Sequence, residues 1–110
     1  MLIIDANNNI TLTRGDTAAI TLTVSNEGST YDFSNDLTQL TVKRNTITEE
    51  IIFQKTFVSG TIVIDPSDTS SLPYCELVYD VQLITPDDKI YTVITPHKFV
   101  IAEEVNFDDE

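Results

Sequence analysis

"CELVYDVQLI", residues 75–84, is the stretch that decides the fold class. Every second position carries an apolar side chain: Leu77, Tyr79, Val81 and Leu83. The positions between them carry Glu76, Asp80 and Gln82, with Val78 and Ile84 as apolar exceptions. A period of two is typical of a strand with one face on a core and the other in water. We therefore predict a long half-buried strand whose outward Val78 and Ile84 contact a second surface.

The same alternation recurs along the whole chain, between short runs of turn-forming residues. Thr, Ile and Val make up 38 of the 110 residues and Ala only four, a balance that favours strands because β-branched side chains lose rotamer freedom in helices. Strands are predicted near residues 10–12, 18–24, 29–33, 38–44, 51–57, 61–65, 75–84 and 90–101, the last with a possible break at Pro96. Residues 1–9 are predicted to hold a lead-in strand. One helical turn is expected near residues 67–72, where hydroxyl and carboxylate side chains follow Pro66.

These elements predict an all-β protein. Short strands at this spacing indicate an immunoglobulin-like two-sheet β-sandwich of about 7–9 strands, with a small barrel as the alternative. The chain has no tryptophan and one cysteine, so the disulfide and the buried tryptophan of antibody domains are missing. We expect residues 1–110 to form a single domain with an acidic tail at residues 103–110.

The net charge of −12 excludes several classes of partner. Phosphate backbones and anionic lipid are repelled by such a chain, so neither nucleic acid nor a membrane is an expected partner. The N-terminus has neither a basic leader nor a long apolar run, and the single cysteine suits a reducing compartment. We therefore expect synthesis and retention in a cytoplasm.

Candidate catalytic and metal-binding residues lack the spacing that either chemistry needs. His97 is the single histidine, and Cys75 has no partner cysteine with metal-ligand spacing. The adjacent carboxylate pairs favour solvated turns over a glycosidase site. We expect no enzyme activity, no cofactor and no metal. Calcium bound by loop aspartates stays an alternative, with Asp65, Asp68, Asp87, Asp88 and Asp108 as its candidate ligands.

The tripeptide Arg14-Gly15-Asp16 admits two interpretations. In some extracellular proteins this sequence is a recognition loop for cell-surface receptors. Here it lies between two strand-like segments, where a glycine permits the positive φ of a bend and lets the first strand cross toward the second sheet. The preferred interpretation is a structural bend, and the alternative is a recognition loop formed by Arg14, Gly15 and Asp16.

Four motifs together resemble a known family. They are ITLTRGDT at residues 10–17, GTIVIDPSDT at 60–69 with Leu72-Pro73, YDVQL at 79–83 and KFVI at 98–101. In this order they resemble the immunoglobulin-like module at the N-terminus of phage baseplate upper proteins, and similar modules of phage tail and neck proteins. Two turns differ, since the family commonly has glycines near the positions of Tyr74-Cys75-Glu76 and Pro96-His97-Lys98. Fibre and receptor-binding portions do not follow the motifs, so the resemblance implies a small virion structural or adaptor protein.

The resemblance also implies how such a protein acts. We expect a non-catalytic virion protein of a phage tail, baseplate or neck, made in the bacterial host cytoplasm, that assembles with itself and with neighbouring phage structural proteins. The candidate interface residues are apolar positions on predicted outer faces: Ile52, Val63, Val78 and Ile84. A surface adhesion or carbohydrate-binding immunoglobulin-like module is the alternative, and a small hydrolase with clustered carboxylates is a third hypothesis.

Overall fold

The computed structural model of the protein describes residues 1–103. Within them the chain forms ten strands and one short helix: β1 Leu2–Ile4, β2 Ile10–Thr13, β3 Ala18–Thr21, β4 Val24–Asn26, β5 Ser29–Tyr31, β6 Leu37–Lys43, β7 Ile51–Thr56, β8 Thr61–Ile64, α1 Pro66–Thr69, β9 Cys75–Ile84 and β10 Ile90–Ala102. The all-β prediction is confirmed. Of the predicted acidic tail, residues 104–110 lie outside the described residues.

The strands form one large sheet and two small ones. The large sheet has the order β1-β2-β10-β9-β6-β7, in which β2 and β10 are parallel and all other neighbours are antiparallel. The second sheet pairs β3 with β8, and β4 with β5 form a separate hairpin. The run β10-β9-β6-β7 corresponds to the G-F-C-C′ strands of a variable-type immunoglobulin domain, and β3–β8 corresponds to the B–E pair of the opposing sheet. This arrangement confirms the sandwich class.

The core lies between the large sheet and the β3–β8 pair. The apolar residues of β9 predicted to face inward, Leu77, Tyr79, Val81 and Leu83, are all buried. Phe99 of β10 is fully buried, and its ring contacts Phe53 edge-on with the ring centroids 5.7 Å apart. It also contacts Tyr79 edge-on, with the centroids 6.1 Å apart. Such contacts stabilise a core beyond the area that they bury.

The segment predicted as one strand over residues 18–24 forms two strands. β3 ends at Thr21, and the backbone N–H of Leu22 donates to the carbonyl of Gly60 at 2.9 Å. The chain then leaves the β3–β8 sheet and forms the β4–β5 hairpin. Alternation continues through Leu22 and Val24, so the pattern gives no sign of this change of partner.

β10 passes through Pro96 as one strand with two irregularities. Thr92 pairs with Gln82 and Ile94 with Val81, so one extra residue lies between these pairs. A second register shift follows before His97. Proline lacks an N–H and is therefore tolerated at bulges and edges. The sequence suggested a break here, and the structure instead has bulges.

α1 contacts the edge strand β7 and the turn between β2 and β3, and it lies where a helical turn was predicted. The backbone N–H of Asp65 donates to the carboxylate of Asp68 at 2.8 Å, which closes the first turn. The ammonium of Lys55 on β7 lies 2.7 Å from the same carboxylate, and that hydrogen bond raises the pKa of Lys55. The lysine thereby joins the edge of the large sheet to the helix.

Candidate interaction surface

The tripeptide Arg14-Gly15-Asp16 forms the turn between β2 and β3. The Arg14 guanidinium donates to the carbonyl of Leu72 at 3.2 Å and to the hydroxyl of Tyr74 at 3.0 Å. Its central carbon lies 4.3 Å from the centroid of the Tyr74 ring, a distance typical of a cation–π contact. The arginine thus packs along the segment that precedes β9.

Gly15 and Asp16 are also bound to the body of the protein. Gly15 has a φ of 82°, which glycine adopts without strain, and its N–H donates to Thr69 Oγ1 of α1 at 2.8 Å. The carboxylate of Asp16 forms an ion pair with the amino terminus. These contacts hold the bend against α1 and β1. The structural bend stays the preferred interpretation, and a receptor-binding role stays its untested alternative.

The outer face of the large sheet carries two of the four predicted interface residues. Val78 and Ile84 both point away from the core, because they alternate with the buried residues of β9. Ile84 pairs with Leu37 on β6 and with Ile90 on β10, so the three side chains form one row across three strands. We call Leu37, Ile84 and Ile90 the apolar row. Leu37 is 45% exposed and Ile90 is 62% exposed.

The middle of this face is polar. Gln54 donates to the hydroxyl of Thr41 at 2.8 Å, and Gln39 donates to the hydroxyl of Thr56 at 3.4 Å. These cross-strand bonds fix side chains that would otherwise be mobile on a solvent-facing sheet. The polar side chains between the apolar row and the opposite end of this face are therefore held in place by hydrogen bonds.

A charged row crosses the far end of the same face. Val78 pairs with Lys43 on one side and with Lys98 on the other, and the ammonium of Lys98 lies 3.7 Å from the carboxylate of Glu76. Burial raises the pKa of the nearby Asp80 carboxyl above its ordinary value, and the Lys43 ammonium opposes that shift. Val78 thus lies among charges, whereas Ile84 lies among apolar side chains.

The other two predicted interface residues lie elsewhere. Ile52 is on the edge strand β7. It is the extra residue at a register shift, between Phe53, which pairs with Val42, and Ile51, which pairs with Lys43, and it packs against the core. Val63 is 48% exposed on the outer face of the β3–β8 sheet, where it pairs with Ala19. The four residues therefore do not form one surface. Leu37 and Ile90 were missed because only the strand register places them beside Ile84.

His97 and Cys75 are not brought together. In the β9–β10 ladder His97 pairs with Tyr79, whereas Cys75 pairs with Ile101. The two pairs are four residues apart along the strands, which corresponds to about 13 Å. The His97 ring instead contacts the carbonyl of Thr95 through Nδ1 and lies at a tilt to the ring of Tyr79. Among residues 1–103, no three His, Cys, Asp or Glu side chains are grouped as metal ligands. That part of the chain also contains no helix with the length and hydropathy of a membrane span.

Comparisons with protein-family models, curated proteins and solved structures find no match to this chain.

Proposed function

We propose that the protein is a non-catalytic structural or adaptor module of a phage virion, in the tail, baseplate or neck. It acts by assembling with copies of itself and with neighbouring structural proteins. The observation that carries the proposal is the apolar row, since Leu37, Ile84 and Ile90 lie side by side on the outer face of the large sheet, with Leu37 and Ile90 exposed and Ile84 half-buried between them. Aligned exposed apolar side chains are typical of protein contact surfaces.

The surroundings of the apolar row suit a specific contact. The Gln and Thr side chains beside it are held by cross-strand hydrogen bonds, so little side-chain entropy is lost when a partner covers them. The chain has a net charge of −12, which keeps free copies apart at low salt and makes self-assembly depend on ionic strength. The four family-like motifs of the sequence support placement of the module in a phage tail.

Sedimentation velocity across protein concentration and salt tests the assembly. We expect oligomers that increase with both, and we expect Ile90→Glu to shift the population toward monomer. Val63→Glu is the matched control, because it places the same charge at an exposed apolar strand position of the other sheet. Monomer under all conditions contradicts self-assembly, and an effect of Val63→Glu alone moves the contact to the β3–β8 sheet.

Mass spectrometry of purified phage particles tests the virion assignment. We expect peptides of this chain in intact particles at a copy number consistent with a ring or a collar. A chain that is present in infected cells but missing from particles contradicts the assignment.

A further inference from the structure

Half of β10 has a neighbouring strand on one side only. β10 runs from Ile90 to Ala102, and β2 pairs with it only from Phe99 onward. Residues 90–95 bond to β9, and within residues 1–103 their other edge forms no backbone hydrogen bond to a strand. The open stretch ends where the N–H of Lys98 donates to the side chain of Asn9 at 3.1 Å. A row of unpaired N–H and C=O groups is a template for another strand.

This open edge forms one wall of a groove. Two adjoining cavities of about 450 and 400 Å³ share Val24, Ser25 and Val93 in their walls. β10 supplies one side, and the chain from the end of β3 into β4 supplies the other. The floor consists of buried core residues, among them Ile20 and Val81. We call this space the edge groove.

The edge groove remains open because the β4–β5 hairpin pairs neither with the large sheet nor with the β3–β8 sheet. The bulge in β10 adds to the opening. It places two consecutive residues, Val93 and Ile94, against the core side where a regular strand places one. The groove therefore combines an unpaired backbone with an apolar floor.

The chemistry of the walls selects the occupant. None of the described residues that line the two cavities is charged, although 22% of the chain is Asp, Glu, Lys or Arg. Burial of an unpaired charge against such walls is costly, so a segment as acidic as residues 103–110, with five carboxylates, does not match their chemistry. The uncharged N-terminal strand β1 is already paired with β2. The occupant that fits the walls of the edge groove is therefore an extended, uncharged segment from another protein.

We propose that the edge groove binds an extended strand of a neighbouring structural protein, with uncharged side chains that are aliphatic at alternate positions. The strand pairs with residues 90–95 of β10, and its inward side chains enter the apolar floor. In this mode backbone hydrogen bonds give affinity, and the pockets for alternate side chains give specificity. The identity of the partner as a structural protein rests on the proposed function, whereas the groove and its strand-binding chemistry do not.

A capped hexapeptide of alternating threonine and valine is a suitable probe. We expect saturable changes in the amide resonances of residues 91–94 and of Ser25, with slowed amide hydrogen exchange in residues 91–94. The same peptide with every backbone amide methylated has no N–H left to donate to a strand edge, and we expect its binding to be lost. Equal binding of both peptides, or binding without protection of β10, overturns the proposal.

Two serine variants in the same hairpin provide the matched test. Ser25→Glu places a carboxylate in the edge groove, and Ser29→Glu places the same charge outside it. Both residues are exposed, so neither change threatens the fold. We expect Ser25→Glu to weaken the hexapeptide at least about tenfold and Ser29→Glu to leave it unchanged. Equal effects of the two variants overturn the proposal.

A peptide of residues 1–5 tests a second copy as the occupant. If it binds more tightly than the hexapeptide and protects β10, the groove exchanges strands between copies and the partner proposed here is wrong. The sedimentation results on the apolar row are obtained without peptide. Failure of self-assembly therefore leaves the groove experiment intact, and failure of the groove experiment leaves the assembly proposal intact.

Discussion

Thr38→Val is expected to stabilise the protein. Thr38 lies on β6 between the sheets and is 1% exposed. Its hydroxyl has no hydrogen-bond partner within residues 1–103. A buried hydroxyl without a partner costs about 1–3 kcal/mol, because it leaves its water hydrogen bonds and gains none in return. Valine replaces the hydroxyl by a methyl group of similar size and keeps the β-branched shape that strands favour.

The expected gain in the free energy of unfolding is about 1 kcal/mol, since the slightly larger methyl group offsets part of the relief. For a domain of this size that corresponds to a rise in Tm of roughly 4–8 °C. The chain has no tryptophan, so thermal and urea unfolding are best followed by far-UV circular dichroism.

Thr41→Val on the same strand is the matched control. The hydroxyl of Thr41 accepts a hydrogen bond from Gln54 at 2.8 Å on the outer face, so its removal gives no relief. We expect this variant to be neutral or to lose up to about 1 kcal/mol. A neutral or destabilised Thr38→Val would refute the reasoning, because the hydroxyl would then be satisfied or the site too tight for a methyl group.

Two further predictions concern buried hydroxyl groups that do have partners. Thr69→Val makes the same chemical change as Thr38→Val but removes the acceptor of the Gly15 N–H, so we expect it to destabilise the protein. The free energy of unfolding in urea should fall by about 1–3 kcal/mol, whereas Thr69→Ser should keep most of the stability. Tyr79→Phe removes the hydrogen bond to the carbonyl of Asn8 and should cost about 1 kcal/mol at neutral pH. Burial raises the pKa of Tyr79 from 10.0 to about 12, so the folded state holds this proton more tightly and the stability that it contributes is lost as pH rises from 10 through 12. The difference between the wild type and Tyr79→Phe should therefore shrink over that range, and a constant difference would contradict the assignment.

The strands of the large sheet were largely predictable from sequence, because alternation is a local signal. The bounds predicted for β9 are those observed, and its four inward residues are buried. The short helix was predictable too, since Pro66 and the acidic side chains around it are local determinants. Each of these features depends on residues within one turn or one strand.

Features that depend on which strands meet were not predictable. The apolar row exists only because the register places Leu37 and Ile90 on either side of Ile84. The pairing of β3 with β8 ends at the backbone bond from Leu22 to Gly60, far along the chain, and the alternation continues unchanged past this point. The open edge of β10 exists because β2 pairs with β10 only from Phe99 onward. No local pattern encodes any of the three.

The place of β10 inside the large sheet affects how the protein is made. Within residues 1–103, β2 bonds only to β1 and β10, so the first hairpin joins the sheet only through a strand translated near the end of this sequence. At about 5–20 residues per second, a ribosome leaves the edge of β2 that later pairs with β10 uncovered for several seconds. Nascent chains stalled before residue 90 should therefore be bound by chaperones or cleaved by proteases. This susceptibility should end in one step when β10 leaves the ribosome and pairs with β2 and β9.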